Sequence, residues 1–368
     1  MARPLVIAFL ACNKNPARFR EDASFVYRCE NLAAALARLG HEVHLSHYTL
    51  HPWGMRPDVV VFHRPQLTPQ WWLLMGWLRR QGVQLVADVD DLIFDPQLAF
   101  LSPAVLNGRA ELGQIARRFK RHRQALQRFP LLTVSTETLR DELYELPGLS
   151  ERTSVHWLPN AVHHSWLSLT TRSDAPSPQS AAPVLRYLPG TRSHDRDFAL
   201  IAEPLTAVLR ARPQARLEVT GPIEFSLSVP EHQVVRREKQ SFARYHQVVA
   251  GASVNLAPLE DTRFTRCKSA LKVIEAAFWQ VPTVCSPLPD ARRLSRAGAH
   301  LAATDEEWLA KLARLLDDSD YHARQVGGLR RKILQQANVH ELARGWLRWL
   351  AGARRSARPA HANRSASV

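Results

Sequence analysis

Hydrophobic and polar positions follow two different periods along this chain, and the two periods alternate. Short runs that are apolar at nearly every position are separated by longer segments in which apolar residues recur every three or four positions. Uninterrupted apolar runs are typical of strands that are buried on both faces, whereas the longer spacing is typical of helices with one buried face. The alternation therefore predicts an α/β protein built on parallel sheets.

The first half of the chain carries this alternation without a break. Strands are predicted at 5–11, 42–45, 58–62, 84–87, 131–134 and 155–158. Helical patterns lie between them at 22–39, 70–80 and 108–129. Ser135 or Thr136 is placed to cap a further helix, and Gly40 follows the first helix, where a glycine commonly ends one. These elements suffice for one complete domain.

A polar segment with several prolines and serines, at 170–183, separates the two halves of the chain. Beyond it, strands are predicted at 184–188, 216–220, 233–235, 253–257 and 283–285. Helices are predicted at 197–212, 242–249 and 268–279, and helices alone are expected from there to about residue 350. We therefore expect a first domain at 1–169, a linker at 170–183, a second domain at 184–338, a helix at 339–351 that packs back on the first domain, and a disordered basic tail at 352–368.

The composition fits a folded protein of two domains. Of the 368 residues, 45% are hydrophobic and 23% are charged, and this length is enough for two cores. No apolar run approaches the roughly 18 residues that a membrane-spanning helix needs. The cysteines (Cys12, Cys29, Cys267 and Cys285) have neither the pattern of a disulfide framework nor the spacing of a zinc site. We expect a cytoplasmic protein without a bound metal.

The net charge of +15 is the strongest departure from an ordinary composition. It implies an anionic partner, which can be a nucleic acid, an anionic membrane surface or a phosphorylated small molecule. A dense basic run at 117–123 either holds the protein peripherally at the inner face of the cell membrane or is a solvated helix face. Nucleic-acid binding is not favoured, because no binding motif accompanies Trp71, Trp72 and Trp77, whose spacing fits a packed helix.

Four carboxylates, Asp88, Asp90, Asp91 and Asp95, follow the strand predicted at 84–87. Ligands of open parallel sheets bind beyond the carboxyl ends of the strands, so this loop is a candidate site. Paired carboxylates suit a divalent cation, and they can equally face a substrate. Alternatively, Asp91 or Asp95 caps a turn while the others are solvated. The residues alone are compatible with each of these roles.

The loop at 187–198, after the first strand of the second domain, is a second candidate site. Gly190 allows a tight turn, and the helix that follows offers free backbone N–H groups to an anion. Arg192, His194 and Arg196 can bring cationic donors to a diphosphate. The alternative is a solvated turn whose side chains only cap the helix.

A third candidate site lies in the helical pattern at 268–279. Lys268, Lys272 and Glu275 have the spacing i, i+4 and i+7, which places them on one face of a helix. Lysines at a helix start suit phosphate binding, and a carboxylate further along can accept hydrogen bonds from two ribose hydroxyls. An exposed, salt-bridged face is the alternative, but the helix is largely apolar, and charges on such a helix need a partner.

Several segments resemble one enzyme family, in the order in which that family carries them. Residues 272–277 (Lys-Val-Ile-Glu-Ala-Ala) with 281–284 (Val-Pro-Thr-Val) resemble the nucleotide-binding helix and following strand of glycosyltransferase group 1, also called family 4. Residues 158–162 (Leu-Pro-Asn-Ala-Val) resemble its interdomain Pro-Asn-Gly-Val turn. Residues 27–32 and 39–43 resemble its first helix and second strand.

The resemblance implies the GT-B architecture, in which two Rossmann-like domains with parallel sheets face each other across a cleft. It implies that Glu275 holds the ribose of a nucleotide-sugar, and that Lys268, Lys272 and the loop of Arg192 and Arg196 neutralise the diphosphate leaving group. Gly190 and His194 would complete this donor site, and Arg196 and Lys272 would act in catalysis. The nucleotide-sugar is then a substrate, and no cofactor or metal is expected.

On the facing domain, Asp90 and Asp91 would orient the acceptor hydroxyl or act as its base. The expected acceptor is a glycan or a lipid-linked molecule, in cell-surface polysaccharide biosynthesis. The chain departs from the family at Cys267, where the resemblance places a second glutamate. Because a thiol cannot replace that carboxylate, the stereochemical course stays open, and so do a nucleotide-sugar epimerase and a non-catalytic, degenerate transferase.

Overall fold

The computed structural model describes residues 3–13, 15–169 and 182–356. Within them lie two parallel sheets of six strands each, and each sheet is covered by helices on both faces. The strands of the first sheet are β1 Val6–Ala11, β2 Glu42–His47, β3 Val59–His63, β4 Gln84–Val89, β5 Leu131–Val134 and β6 Ser154–Trp157. Those of the second are β7 Val184–Tyr187, β8 Arg216–Thr220, β9 Val234–Arg237, β10 Val254–Ala257, β11 Thr283–Cys285 and β12 Ala299–Leu301.

The helices fall into two groups that follow the two sheets. Those from the first half of the chain are α1 Ala23–Phe25, α2 Asn31–Arg38, α3 Pro69–Arg80, α4 Pro103–Leu106, α5 Leu112–Leu126 and α6 Glu137–Tyr144, with a π-helical segment Val26–Glu30 that joins α1 to α2. Those from the second half are α7 Asp195–Ala199, α8 Ala202–Arg210, α9 Phe242–Ala250, α10 Arg263–Arg266, α11 Leu271–Phe278, α12 Pro289–Arg293, α13 Asp305–Asp317, α14 Ser319–Val326, α15 Leu329–Gln336 and α16 Val339–Ser356.

The strand orders are β2-β1-β3-β4-β5-β6 and β12-β11-β10-β7-β8-β9, with every neighbouring pair parallel. In the first sheet the order turns back between β1 and β3, and in the second sheet between β7 and β10. At such a point, the loops that follow two neighbouring strands run to opposite faces of the sheet, and a crevice opens between them. Each sheet therefore offers one crevice at its carboxyl edge.

Alternate residues of β1 enter two separate cores because successive side chains of a strand point to opposite faces. Ala8 and Leu10 pack with α3 and α5. Ile7 and Phe9 pack with α2 and α16. This two-sided burial explains why the strand is an uninterrupted apolar run.

The helix ends follow from local chemistry. Thr68 caps α3 by accepting a hydrogen bond from the N–H of Trp71, and Thr136 caps α6 in the same way through Leu139. Gly40 lies just beyond α2 with φ +87°, a conformation that glycine adopts without strain.

The last helix, α16, packs on the first sheet although it follows the second one in the chain. The Trp346 ring stacks on Phe9 with centroids 6.3 Å apart, and Trp349 Nε1 donates to Ser154 Oγ at 2.9 Å. The helix continues to Ser356, so the tail does not begin at residue 352 as predicted, and residues 357–368 lie outside the described part. Most of the predicted linker, 170–181, also lies outside it, and the division into domains stays our proposal.

Three predictions of elements need correction. The strand β12 was missed, because Ala299–Leu301 is a short segment with a histidine at its centre. The helix predicted at 197–212 is two helices, α7 and α8. The helix predicted at 268–279 begins only at Leu271, so Lys268 precedes it and does not share a helical face with Glu275.

No helix in the described ranges combines the length and the apolar character that crossing a membrane requires.

Candidate functional site

A pocket opens at the carboxyl edge of the second sheet, where β7, β10 and β11 end. Its walls are mainly apolar, with Leu188, Leu256 and Leu288 among the lining residues. It lies where the strand order turns back, so its position follows from the topology of the sheet. An apolar pocket with a few polar groups at its rim is typical of a small-molecule site.

Four of the residues predicted for the donor site line this pocket: Gly190, His194, Lys268 and Lys272. The other predicted residues do not line it. Arg192 is exposed on the loop after β7. The Arg196 guanidinium is held by both carboxylate oxygens of Glu260, with Nη2 to Oε1 at 2.6 Å.

Glu275 lies beside the pocket but is itself buried, with 2% of its surface exposed. Its Oε1 accepts a hydrogen bond from the Tyr27 hydroxyl of the first domain at 2.6 Å. Its Oε2 accepts from Tyr245 at 2.8 Å and from Lys272 Nζ at 2.9 Å. Burial, and then the charge of Glu275, raises the pKa of both tyrosines, so both phenols keep the proton that they donate.

Asp91 faces the pocket from the first domain. Lys268 Nζ donates to Asp91 Oδ1 at 3.1 Å across the cleft. Arg64 donates to Asp90 through Nε and to Asp91 through Nη2, the latter at 2.9 Å. Because guanidinium and ammonium groups already neutralise this pair, the metal interpretation of the Asp-x-Asp sequence loses its support.

Arg64 reaches Asp90 from an uncommon backbone conformation. Its φ is +51°, in the left-handed region that residues other than glycine rarely adopt. Its own N–H donates to the carbonyl of Asp88 at 2.8 Å, which ties the turn to the end of β4. Residues held in such conformations cluster at functional sites.

Asp88 lies beneath this pair, with 1% of its surface exposed. Its carboxylate accepts hydrogen bonds from Arg28 at 2.6 Å, from Thr133 at 2.7 Å and from His63 Nδ1 at 2.8 Å. Burial alone would raise the pKa of Asp88, but the charge of Arg28 and the contact with His63 outweigh it and lower this pKa to about 2.

A chain of hydrogen bonds leads from Asp88 to the cleft. His63 Nε2 lies 2.8 Å from Ser24 Oγ, and the Ser24 hydroxyl donates to Asp90. Burial would raise the pKa of Asp90, yet the charges of Arg64 and His63 lower it well below its usual range. An ionised carboxylate at this position can accept a hydrogen bond from a substrate hydroxyl.

Several of these residues were not predicted from the sequence. His63 is the last residue of β3 and Arg64 directly follows it, so the rule that singled out Asp88 to Asp91 applies to them equally. Tyr27 and Arg28 lie in the π-helical segment, a local widening of the helix that is frequent at functional sites. The spacing of apolar residues carries no mark of such a segment.

Cys267, the residue at the expected second glutamate, does not line the pocket. It is fully buried and belongs to the core that α3 and α5 form on the first sheet. Its carbonyl accepts a hydrogen bond from the Thr136 hydroxyl at 2.8 Å. Burial, followed by the charges of Glu142 and Asp91, raises the pKa of the thiol well above its ordinary value, so the thiol stays protonated.

One group in the described ranges has the composition of a metal site: Glu30, His163 and His164, whose ligand atoms lie within 4.8 Å of one another. It lies at the crossover between the domains. His163 packs against Phe242 of the second domain, with ring centroids 4.6 Å apart.

The chain is similar to solved structures along nearly its whole length, although no protein-family model and no curated protein matches it. Sucrose-phosphate synthase from Thermosynechococcus elongatus matches over 96% of this chain and 100% of its own, with a TM-score of 0.60 and 14% identity. HepE from Anabaena, solved with UDP and glucose, matches over 95% and 100%, with a TM-score of 0.61 and 13% identity. WaaG, a glycosyltransferase involved in lipopolysaccharide biosynthesis, matches over 95% and 100%, with a TM-score of 0.60 and 12% identity.

These matches confirm the fold class predicted from the sequence. The part of the chain that contains the two six-stranded parallel sheets matches these structures along nearly their whole length, although they share little sequence with it. The protein has the GT-B fold.

Proposed function

We propose that the protein is a glycosyltransferase that moves a sugar from a nucleotide-sugar to a glycan or lipid-linked acceptor, in the biosynthesis of a cell-surface polysaccharide. The observation that carries the proposal is the pocket at the carboxyl edge of the second sheet, lined by Lys268 and Lys272. Asp91 of the first domain contacts Lys268 from the opposite side of the cleft. A cationic donor pocket opposite an anionic acceptor side is the arrangement that glycosyl transfer requires.

The apolar part of the pocket suits a nucleobase, and the two lysines suit the diphosphate. Departure of the nucleoside diphosphate develops negative charge on its phosphates, and ammonium groups in a partly buried pocket stabilise that charge. Lys272 is held in place by Glu275 and Tyr245. Lys268 is neutralised by Asp91 when no donor is bound, and the diphosphate would replace that carboxylate.

Asp90 is the candidate base or hydroxyl-orienting group for the acceptor. It is ionised, and the Ser24 hydroxyl and Arg64 hold its orientation. The hydrogen-bond chain through Ser24 and His63 offers a route by which a proton taken from the acceptor is shared with the buried cluster. Because Glu260 holds Arg196 outside the pocket, leaving-group stabilisation falls to Lys268 and Lys272.

Thermal denaturation in the presence of UDP, GDP, CMP or TDP tests the donor pocket. A ligand that binds only the native state raises the melting temperature, so at least one of these nucleotides is expected to do so. Lys272→Ala is expected to remove that shift, measured against the variant's own melting temperature, which should itself fall because buried Glu275 loses its cation. Lys311→Ala, on α13 away from the pocket, is the matched control. If no nucleotide stabilises the wild-type protein, the transferase proposal fails.

A further inference from the structure

A groove of positively charged side chains runs along α5 in the first domain. It is lined by Arg117, Arg118, Lys120 and Arg121. Among the described residues, none of these four has an ion pair or a side-chain hydrogen bond, whereas Arg109 at one end of the groove is paired with acidic groups. A concave surface with this many unpaired cations attracts anions strongly.

Arg118 is the informative member of this group, because it is half-buried. Burial, and then the positive charges of Arg64 and Arg121, lower the pKa of its guanidinium. Like charges surround it, and no described carboxylate pairs with it. A half-buried cation without a carboxylate partner favours an anion supplied from outside the protein.

The groove adjoins the carboxylate side of the cleft. The carbonyl of Arg121 accepts a hydrogen bond from the Leu67 N–H at 3.0 Å, and His122 Nδ1 donates to the carbonyl of Pro65 at 2.8 Å. These contacts hold the middle of α5 against the loop that follows β3. The same loop begins with Arg64, which donates hydrogen bonds to Asp90 and Asp91.

The second domain closes one end of the groove. Arg109 donates to Asp195 at 3.0 Å, and Asn107 donates to the carbonyl of Ser193 at 3.0 Å. Both partners lie in the loop and helix that follow β7, next to the donor pocket. A molecule seated in the groove therefore lies between the two domains, within reach of the acceptor carboxylates.

We propose that this groove binds a phosphoryl group of the acceptor, so that the substrate class is a phosphorylated acceptor whose free hydroxyl faces Asp90. A phosphoryl group carries more charge than a carboxylate and offers three oxygens to several guanidinium groups at once. The assignment of Asp90 rests on the proposed function, but binding of the phosphoryl group does not. The group can belong to a soluble sugar phosphate or to a lipid-linked phosphate, and the chemistry in the groove is the same.

Calorimetric titration tests the site with two soluble probes, inorganic phosphate and glucose 6-phosphate. The double variant Arg118→Gln with Arg121→Gln is expected to bind them at least about tenfold more weakly than the wild-type protein, the loss of one or two charge-assisted hydrogen bonds. The charge-matched control is Arg79→Gln with Arg80→Gln, on α3, which is expected to bind as the wild type does. The double variant is expected to weaken binding by the same factor in a Lys272→Ala background, which separates the groove from the donor pocket.

Sedimentation with vesicles identifies the source of the phosphate. Vesicles of phosphatidylcholine with phosphatidic acid present a lipid phosphate, and pure phosphatidylcholine vesicles do not. The site is supported if the double variant binds more weakly than the wild-type protein in either assay. Weaker binding in the titration identifies a soluble phosphate as the source, and weaker binding to the vesicles identifies a lipid phosphate. Equal binding by the wild-type protein and the double variant in both assays overturns it. UDP titrations of the same proteins report the proposed donor site separately, because Arg118 and Arg121 lie outside that pocket.

Discussion

At the scale of single residues, the centre of the first domain is held by charge as well as by apolar packing. Asp88 accepts hydrogen bonds from Arg28, Thr133 and His63 and is almost completely buried. Removing one partner of a buried ion pair leaves the other charge uncompensated, which costs far more than the pair itself contributes. The positions of Ser24 and Asp90 in turn depend on this cluster.

The pKa of Asp88 makes stability depend on acid. Because the folded-state value of about 2 lies below the unfolded value of about 3.9, ionised Asp88 contributes about 2 kcal/mol to stability at neutral pH. That contribution is complete above about pH 4 and is lost as the pH falls through about 2. Urea denaturation at pH 6, 4 and 3 should show the decline.

Asp88→Asn is expected to remove this part of the acid dependence and to lower stability by about 3–5 kcal/mol at pH 6, because Arg28 is left unpaired. The milder Thr133→Val keeps the charge pair, so it retains the acid dependence at a smaller cost. Asp141→Asn, at an exposed carboxylate, is the control and should change neither quantity. An acid dependence that survives in Asp88→Asn would contradict the assigned role of this carboxylate.

At the scale of elements, the π-helical segment Val26–Glu30 sets the geometry of the cleft. It turns Arg28 inward to Asp88 and directs Tyr27 across the cleft to Glu275 of α11. A regular α-helix would rotate these successive side chains relative to α1 and α2. One irregular turn therefore connects the buried cluster of the first domain with the expected ribose-binding carboxylate of the second.

Tyr27→Phe removes the hydrogen bond to Glu275 Oε1 and leaves that oxygen free. If Glu275 accepts the ribose hydroxyls, Tyr27 competes with the nucleotide, and the variant should bind UDP roughly three- to tenfold more tightly. Calorimetric titration of UDP is the measurement, with Tyr144→Phe, at an exposed tyrosine, as the control. Unchanged or weaker UDP binding would indicate that Glu275 serves only to hold Lys272.

The sequence predicted the strands better than the site, and the reason is physical. The strand β5 is buried at every position, and in β8 the buried Leu217 and Val219 alternate with polar residues, so both were predicted with their observed bounds. The spacing of Lys268 and Glu275 also fits one helix, but Ala270 adopts a non-helical conformation, and α11 starts after it. Long-range partners such as Tyr27 and Glu275 leave no local pattern at all, because the fold alone brings them together.

At the scale of the whole molecule, the segment that forms the second sheet and its helices is inserted, along the chain, between two segments that pack in the first domain. The chain leaves the first domain after β6 and returns to it with α16. At the crossing, the Val162 N–H donates to the carbonyl of Ala337 at 2.9 Å, so the outgoing and returning segments are tied together. Movement of the two domains relative to each other would bend both segments at this point.

Trp346→Ala tests how much the first domain depends on α16. The Trp346 side chain is fully buried against Phe9, so the substitution should lower stability by about 3–5 kcal/mol. Urea denaturation followed by circular dichroism measures the change. Arg348→Ala, at an exposed position on the same helix, should change stability by less than about 0.5 kcal/mol. Equal effects of the two substitutions would show that α16 contributes little to the first domain.

The position of α16 also determines the order in which the protein can mature on the ribosome. Synthesis proceeds from the amino terminus, and early domains commonly fold before later ones are made. Here Phe9 of β1 and Leu36 of α2 belong to the core that α16 completes, and this core stays open until residues 339–356 have left the exit tunnel. The nascent first domain therefore exposes an apolar surface throughout translation of the second, and this interval is when it most needs a chaperone.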